Sequence, residues 1–256
     1  MSNRPPADSG SLPRRDLLKL GVAGLGLSAT AAMPGLASGD APTQERPDLG
    51  PAPATPFAAQ PLDAVRVGFV GVGGMGGAHV RNFLGLADVE ITALCDINEA
   101  RNTEVASWVT EDGRPRPAMY GRNETDFVRM CETEDLDLVL TATPWEWHVP
   151  VCVAAMENGK HAATEVPAAY RTEDCWKMVE YAEKYQRHCV MMENCNYDRP
   201  EMMVFHMARL GLFGEILHAE CGYLHDLRSI KFSETGEGLW RRAHAMVRDA
   251  NLYPTH

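Results

Sequence analysis

Short apolar runs alternate with stretches of helical spacing along residues 65–194, and this alternation predicts a parallel sheet covered by helices. Buried strands are predicted for VRVGFVG, VEITALCD, LDLVLTATP, HAATE and HCVMMEN. Helices are predicted for WHVPVCVAAMENGK, which closes at Gly159, and for EDCWKMVEYAEKYQ. Such alternation is typical of a doubly wound α/β fold, which binds ligands beyond the carboxyl ends of its strands.

A glycine-rich turn links the first predicted strand to the helix that follows it. Gly71, Gly73 and Gly76 form G-x-G-x-x-G, and Asp96 ends the second strand twenty residues after Gly76. In a dinucleotide site the first glycine permits the tight turn, the second admits the pyrophosphate and the third lets the helix pack on the strand. Met75 of the same turn is counted with these cofactor-binding residues. A glycine turn without a ligand is the alternative, but the complete context favours a Rossmann-type domain.

The acid at the end of the second strand also bears on which dinucleotide binds. The carboxylate of Asp96 would accept hydrogen bonds from a ribose diol and repel a 2'-phosphate, which favours NAD over NADP. Arg101 lies five residues after Asp96, and an arginine can accommodate a 2'-phosphate. NADP therefore stays an alternative cofactor. The dinucleotide-binding domain is predicted over residues 63–195. Its other strand ends carry Thr143, Glu165 and Asn194.

The first 62 residues have a different character from the rest of the chain. Residues 1–40 contain paired Arg14 and Arg15, then a weakly apolar run, then small residues, which is the order of a twin-arginine export signal. A transmembrane anchor is the alternative, but polar residues and a proline interrupt the run. Residues 41–62 are rich in proline and predict a linker. We therefore expect export to the periplasm or beyond, with no membrane association once the signal is removed.

Composition narrows the choice of partner. The formal net charge of -11 disfavours nucleic acid and anionic membranes, so the expected partner is a small molecule. The seven cysteines are odd in number and include no CxxC pair, which predicts neither a disulfide framework nor a metal site. They are interpreted as packing thiols acquired in a reducing cytoplasm.

From Val65 onward the chain resembles the family of glucose-fructose oxidoreductase and inositol dehydrogenase. That family's pattern has T-P-x-x-x-H, then a helix, then G-K-H and E-K-P. The last two motifs fall here in GKHAATEVPAA, and T-P-x-x-x-H matches Thr143 to His148. Glu165 is kept, but Val166 stands where the family has its catalytic lysine. A plain dehydrogenase uses that lysine as a base beside the hydroxyl, so its loss suggests different chemistry.

Longer motifs narrow the resemblance to glycoside hydrolase family 109. They are TPWEWHVP, TEVPAA, MMENCNYDRPEMM, GLFGEILHAECGYLHDLR and NLYPTH. In that branch valine after the glutamate is usual. The resemblance implies an NAD-dependent glycosidase of the alpha-N-acetylgalactosaminidase type. Such enzymes oxidise the sugar at C3, remove the C2 proton, eliminate the aglycone, add water and return the hydride, without the usual pair of carboxylates.

The resemblance also implies roles for individual residues. Tyr197 is the candidate base at C2, and Glu165 is a candidate acid or water activator. The residues expected beside the sugar are Tyr223, Arg241, Tyr253 and His256. The last two are expected near the C3 hydroxyl and are counted with the catalytic residues as well. The residues expected at the nicotinamide end are Trp145, His148, Glu165, Val166 and Asn194. Taken without the resemblance, the aromatic residues would be packing groups, His148 a first-turn residue bonded to backbone and Glu165 a cap.

Residues 196–256 are predicted to begin an α+β substrate domain. Only EILHAECGYLH reads as a strand there, and one strand cannot build a sheet. The sequence ends inside a motif that normally continues, so we expect a fragment or a truncated product, with homo-oligomers possible at full length. Three hypotheses follow: an NAD-dependent glycosidase, a sugar or polyol dehydrogenase of the same superfamily, and a cofactor-binding fragment without catalysis.

Overall fold

A six-stranded parallel sheet forms the centre of the molecule. The structure is a computed structural model that describes residues 59–220, 222, 224 and 226–247. The strands are β1 Val65–Val70, β2 Val89–Cys95, β3 Ala118–Tyr120, β4 Leu138–Thr141, β5 His161–Thr164 and β6 Cys189–Met191. Their order across the sheet is β3-β2-β1-β4-β5-β6, which is the order of a Rossmann fold. The predicted doubly wound α/β fold is confirmed.

Helices cover both faces of this sheet. They are α1 Gly74–Leu84, α2 Glu99–Glu111, α3 Asp126–Thr133, α4 His148–Glu157 and α5 Thr172–Tyr185. Successive side chains of β1 point to opposite faces: Phe69 packs with residues of α1 and α2, and Val70 packs with residues of α3 and α4. Two buried apolar clusters result, one on each face. The strands are consequently apolar along their length rather than alternating.

Three elements of the sheet domain are absent from the sequence-based prediction, namely the helices α2 and α3 and the strand β3. Strand β3 has only three residues, and its neighbour α3 is held by the buried side chain of Asp126. That carboxylate accepts hydrogen bonds from the N–H groups of Gly121 and Arg122 at 2.7 and 3.0 Å, and it pairs with Arg129. A single aspartate therefore ties the end of β3 to the start of α3.

Beyond the sheet, the described residues form helices joined by turns and irregular segments. It contains α6 Arg199–Arg209, α7 Arg228–Lys231 and α8 Glu237–Val247. The strand predicted for EILHAECGYLH is wrong over its described part, because residues 215–220 form no strand. The physical reason is that a strand needs a hydrogen-bonded neighbour, and the described residues offer none there.

Other predictions fall where the structure is not described. The export signal over 1–40 and most of the linker over 41–62 lie outside the described residues, as do Tyr223, Tyr253 and His256. Within the described part of the chain, no helix combines the length and apolar character needed to cross a membrane.

Candidate active site

The carboxyl ends of β1, β2, β4 and β5 bring the predicted cofactor residues to one edge of the sheet. The turn after β1 is tight, since Gly71 has φ +78° and a Cβ there would lie 2.9 Å from the backbone of Ala142. A Cβ on Gly76 would overlap the carbonyl of Gly71, whereas one on Gly73 would meet no atom within 4 Å. The space above Gly73 is thus open, at the uncapped first turn of α1, where a pyrophosphate would fit.

Asp96 fastens the glycine turn to the end of β2. One carboxylate oxygen accepts the N–H of Val72 at 2.8 Å, and the other accepts the N–H of Asn98 at 2.8 Å. Each oxygen can accept a further bond, so the group can still bind a ribose diol. This tie between turn and acid explains physically why the two occur together in the sequence.

Arg101 holds the same turn from the opposite side. Its Nε donates to the carbonyl of Val72 at 2.7 Å, its Nη2 to the carbonyl of Gly73 at 2.9 Å, and its Nη1 to Glu104 at 2.9 Å. The guanidinium also lies 4.8 Å from the ring centroid of Trp108. Three of the five N–H donors of Arg101 are thus engaged within the domain. Fewer donors remain for a 2'-phosphate, so the arrangement favours NAD.

At the end of β5, Glu165 forms a hydrogen-bonded pair with a histidine that the sequence analysis did not identify. Its Oε1 lies 2.6 Å from Nε2 of His79 on α1, and its Oε2 accepts the N–H of Val166 at 3.0 Å. Burial raises the pKa of Glu165, but the bond from His79, the N–H of Val166 and nearby imidazole charge outweigh it. The net pKa lies below the usual value, so the group is a carboxylate at neutral pH.

His148 supports this edge from within the core. Its Nδ1 lies 2.7 Å from the carbonyl of Pro167 and its Nε2 lies 3.0 Å from the carbonyl of Thr143. Burial lowers the pKa of this imidazole, although the two carbonyls act in the opposite direction. Both ring nitrogens contact backbone, which matches the alternative of a first-turn residue bonded to backbone. Contact of His148 with a cofactor stays a prediction.

An aromatic cluster joins the helix α8 to the edge of the sheet. Trp145 follows β4 and packs edge-on against Trp240, with ring centroids 5.0 Å apart. His244 lies 5.1 Å from the Trp145 centroid, and its Nε2 bonds Glu146 at 2.8 Å. Arg241 lies over Trp240 at 4.4 Å from its centroid. The cluster brings a predicted substrate residue beside a predicted cofactor residue, which are separated by nearly a hundred positions in sequence.

The segment after β6 is the least enclosed part of the predicted site. Tyr197 is 84% exposed, in the turn before α6, and Asn194 is also exposed. The turn is shaped by Glu193, whose Oε2 accepts the N–H groups of Cys195 and Asn196 at 2.9 and 2.6 Å. The described residues therefore leave the roles of Tyr197 and Asn194 as predictions.

Metal-binding groups and cavities within the described residues bear on whether the glycine turn is the candidate site. The described residues contain no group of three or more His, Cys, Asp or Glu side chains that could hold a metal. A cavity of about 420 Å³ lies at the amino end of the sheet, beside Asp137 and His161. Rossmann ligands bind at the opposite edge, so the glycine turn marks the candidate site rather than that cavity.

Comparison with known proteins identifies the family. Residues 65–193, half of the chain, match the model of the oxidoreductase family with an NAD-binding Rossmann fold. The chain belongs to this Gfo/Idh/MocA oxidoreductase family. Residues 197–256 match the C-terminal domain of glycosyl hydrolase 109, which confirms the narrower resemblance.

Curated relatives carry the same family name. Glycosyl hydrolase family 109 proteins from Shewanella pealeana and Solibacter usitatus are 43% and 42% identical over 96% and 95% of this chain. The chain spans about half the length of the curated relatives it matches, 53% in both cases.

Solved structures show the same fold. The WlbA dehydrogenase from Chromobacterium violaceum, in complex with NADH and UDP-GlcNAcA, gives a TM-score of 0.52 at 24% identity. That alignment covers 62% of this chain and 43% of the other. The scyllo-inositol dehydrogenase from Lactobacillus casei, with NAD(H) and scyllo-inositol, gives 0.52 at 19% identity, covering 59% and 43%. At these identities, the similarity of the two solved structures to the present chain concerns the fold alone.

Three features of the site were missed by sequence reasoning. They are the pairing of His79 with Glu165, the grip of Arg101 on the glycine turn, and the packing of Trp240 and His244 on the TPWEWH segment. His79 lies in the helix directly after the glycine turn, so the sequence could have indicated that it is near the candidate dinucleotide site. Its partner lies 86 positions away, and no local pattern indicates such a pair.

Proposed function

We propose that this protein is an NAD-dependent glycosidase that acts on alpha-N-acetylgalactosaminides. The observation that carries the proposal is Val166, which is 4% exposed and follows Glu165 at the end of β5. A valine cannot take the proton from a substrate hydroxyl, so this position lacks the base that net alcohol oxidation requires. The matches to glycosyl hydrolase family 109 support the same conclusion.

The described residues fit a bound NAD. The open space above Gly73 and the uncapped first turn of α1 suit a pyrophosphate, and Asp96 retains acceptor capacity for a ribose diol. When bound, NAD would supply a reversible hydride acceptor for C3 of the sugar. Oxidation at C3 acidifies the neighbouring C2 proton, and loss of that proton permits elimination of the aglycone.

The chain's own groups would handle the protons. Tyr197 is the proposed base at C2, and because phenols are weak acids this role needs positive charge or hydrogen-bond donors beside its oxygen. Glu165 is ionised, since its pKa is lowered, and so it suits activation of water better than donation of a proton. Tyr253 or His256, proposed to lie near the C3 hydroxyl, would take the proton of that hydroxyl as the hydride leaves and return it when the carbonyl is reduced. Together with Arg241 and Tyr223, these two are the proposed sugar-binding residues.

The origin of the hydrogen at C2 tests this chemistry. The cofactor-loaded protein, turning over an alpha-N-acetylgalactosaminide in deuterium oxide, should release sugar that carries deuterium at C2. Tyr197→Phe should abolish that incorporation while NAD stays bound. Tyr185→Phe, a half-buried tyrosine at the last position of α5, is the matched control and should incorporate deuterium normally. Cleavage without deuterium at C2 would point to direct displacement and refute the proposal.

We also propose export by the twin-arginine route with the dinucleotide already bound, on the strength of Arg14 and Arg15. Replacing both arginines with lysine should leave the protein in the cytoplasm of a host that has this pathway, which fractionation and immunoblotting would detect. Normal export of the variant would contradict the assignment.

A further inference from the structure

The hydrogen-bonded pair of His79 and Glu165 links helix α1 to the end of β5. Besides the 2.6 Å contact between Nε2 and Oε1, the second carboxylate oxygen accepts the N–H of Val166. The N–H of Glu165 is in turn bonded to the carbonyl of Thr141 at 3.0 Å. Both oxygens of the carboxylate are therefore held, and its backbone is fixed to the last residue of β4.

This pair is partly shielded from water. The side chains of His79 and Glu165 are 18% and 17% exposed, so charge at the pair is screened less than charge at the surface. Among the described residues, His148 is a further titratable group that acts electrostatically on Glu165, and Glu146 in turn acts on His148. His148 is neutral near pH 7, because burial lowers its pKa. The charge at the end of β5 is consequently set by His79 and Glu165.

The topology places this charge at the nicotinamide half of the site. A dinucleotide crosses the crevice between β1 and β4, where the strand order reverses, with its adenosine ribose at the acid that ends β2. Asp96 is that acid, so the nicotinamide half belongs over β4 and β5. Glu165 directly follows β5, and Val166 contributes no positive charge beside it.

We propose that the His79–Glu165 pair sets the balance between oxidised and reduced dinucleotide, with His79 as a positioning residue that holds and neutralises the carboxylate. The inference rests on the proposed NAD site, and not on the glycoside substrate. The oxidised nicotinamide ring is positively charged and the reduced ring is neutral, so a net negative pair favours the oxidised form. The net charge of the pair is zero when His79 is protonated and -1 when it is neutral.

Binding measurements test the proposal without any turnover. Wild-type protein, freed of cofactor, is titrated with NADH by fluorescence and with NAD⁺ by competition at neutral pH. A more negative pair should lower the ratio of the Kd for NAD⁺ to that for NADH, because it favours the positively charged ring.

Variants assign the effect to the pair. His79→Gln keeps an N–H donor for Glu165 but carries no charge, so its ratio should equal the wild-type value or fall below it. Glu165→Gln removes the negative charge and should raise the ratio at least about fivefold above that of His79→Gln, in favour of NADH. His206→Gln, an exposed histidine on α6, is the matched control and should behave like wild type.

The outcomes separate this inference from the proposed function. If both dinucleotides bind, yet the ratios of Glu165→Gln and His79→Gln differ by less than about twofold, the proposal is overturned and the NAD site stands. If wild-type protein binds neither dinucleotide, both the NAD site and the proposal fall. Should His79→Gln not fold, the ratio of Glu165→Gln relative to wild type decides the matter, and a ratio that is not raised overturns the proposal.

Discussion

Two glycines of the turn, three positions apart, are expected to respond in opposite ways to the same added methyl group. In Gly76→Ala the new Cβ would lie 2.9 Å from the carbonyl carbon of Gly71 and overlap its oxygen, below the 3.0 Å limit of real Cβ contacts. The atoms it meets are backbone, so the first turn of α1 has to move away from β1. In Gly73→Ala the new Cβ meets no atom within 4 Å.

The magnitudes follow from these contacts. Overpacking a rigid site costs typically about 1–3 kcal/mol, and a clash with backbone belongs at the upper end, near about 3 kcal/mol for Gly76→Ala. For a folded unit of this size that lowers the melting temperature by about 6–12 °C. Gly73→Ala should melt close to wild type without NAD, yet bind NAD at least about tenfold more weakly, because the methyl occupies the pyrophosphate space.

The assay pairs thermal unfolding by circular dichroism with NAD titration by calorimetry. Gly85→Ala, at the far end of α1, is the control and should change neither quantity by much. A Gly76→Ala variant that melts within about 2 °C of wild type would refute the packing argument. A Gly73→Ala variant that binds NAD normally would refute the position assigned to the pyrophosphate.

Three further predictions concern the rest of the sheet domain. Asp126→Asn should cost about 3 kcal/mol of unfolding free energy at pH 7, measured in urea. The pKa of that carboxyl is lowered by its bond to Arg129, so this cost should begin to shrink only below about pH 4, where the unfolded-state carboxyl gains its proton, and should be lost progressively at still lower pH. A cost that stays constant between about pH 4 and about pH 2 would contradict this reasoning. Alkylation of native protein near pH 8, read by peptide mass spectrometry, should modify exposed Cys175 well before Cys95 and Cys131, since burial raises the pKa of both thiols to about 12. Arg101→Met, which releases two carbonyls of the glycine turn, should weaken NAD binding several-fold without creating NADP binding.

Local pattern predicted the sheet domain well because its strands are buried on both faces. VRVGFVG and VEITALCD became β1 and β2, and the helix predicted to close at Gly159 ends at Glu157, with Gly159 at φ +75°. Strand β3 was not predicted, because three residues are too few to show a hydrophobic periodicity. The helical region beyond β6 could not be predicted from one apolar run, since a run becomes a strand only where another strand pairs with it.

The candidate site, too, has a part that local sequence predicts and a part that only the fold brings together. The glycine turn and Asp96 form one local unit, so motif spacing was enough to predict them. The partners of Glu165 and Trp145 come from distant helices, and only the fold brings them together. The exposed position of Tyr197 is a further feature that the motif alone does not convey.

The central claim is that this member of the Gfo/Idh/MocA family cleaves a glycoside without consuming NAD. The most direct test follows nitrophenol release from p-nitrophenyl alpha-N-acetylgalactosaminide and NADH absorbance together, with the native, cofactor-loaded protein. We expect each protein molecule to release many molecules of nitrophenol, with no accumulation of NADH and no requirement for added NAD. Accumulation of NADH with free sugars or polyols, and no release of nitrophenol, would instead mean dehydrogenase chemistry and would contradict the meaning given to Val166.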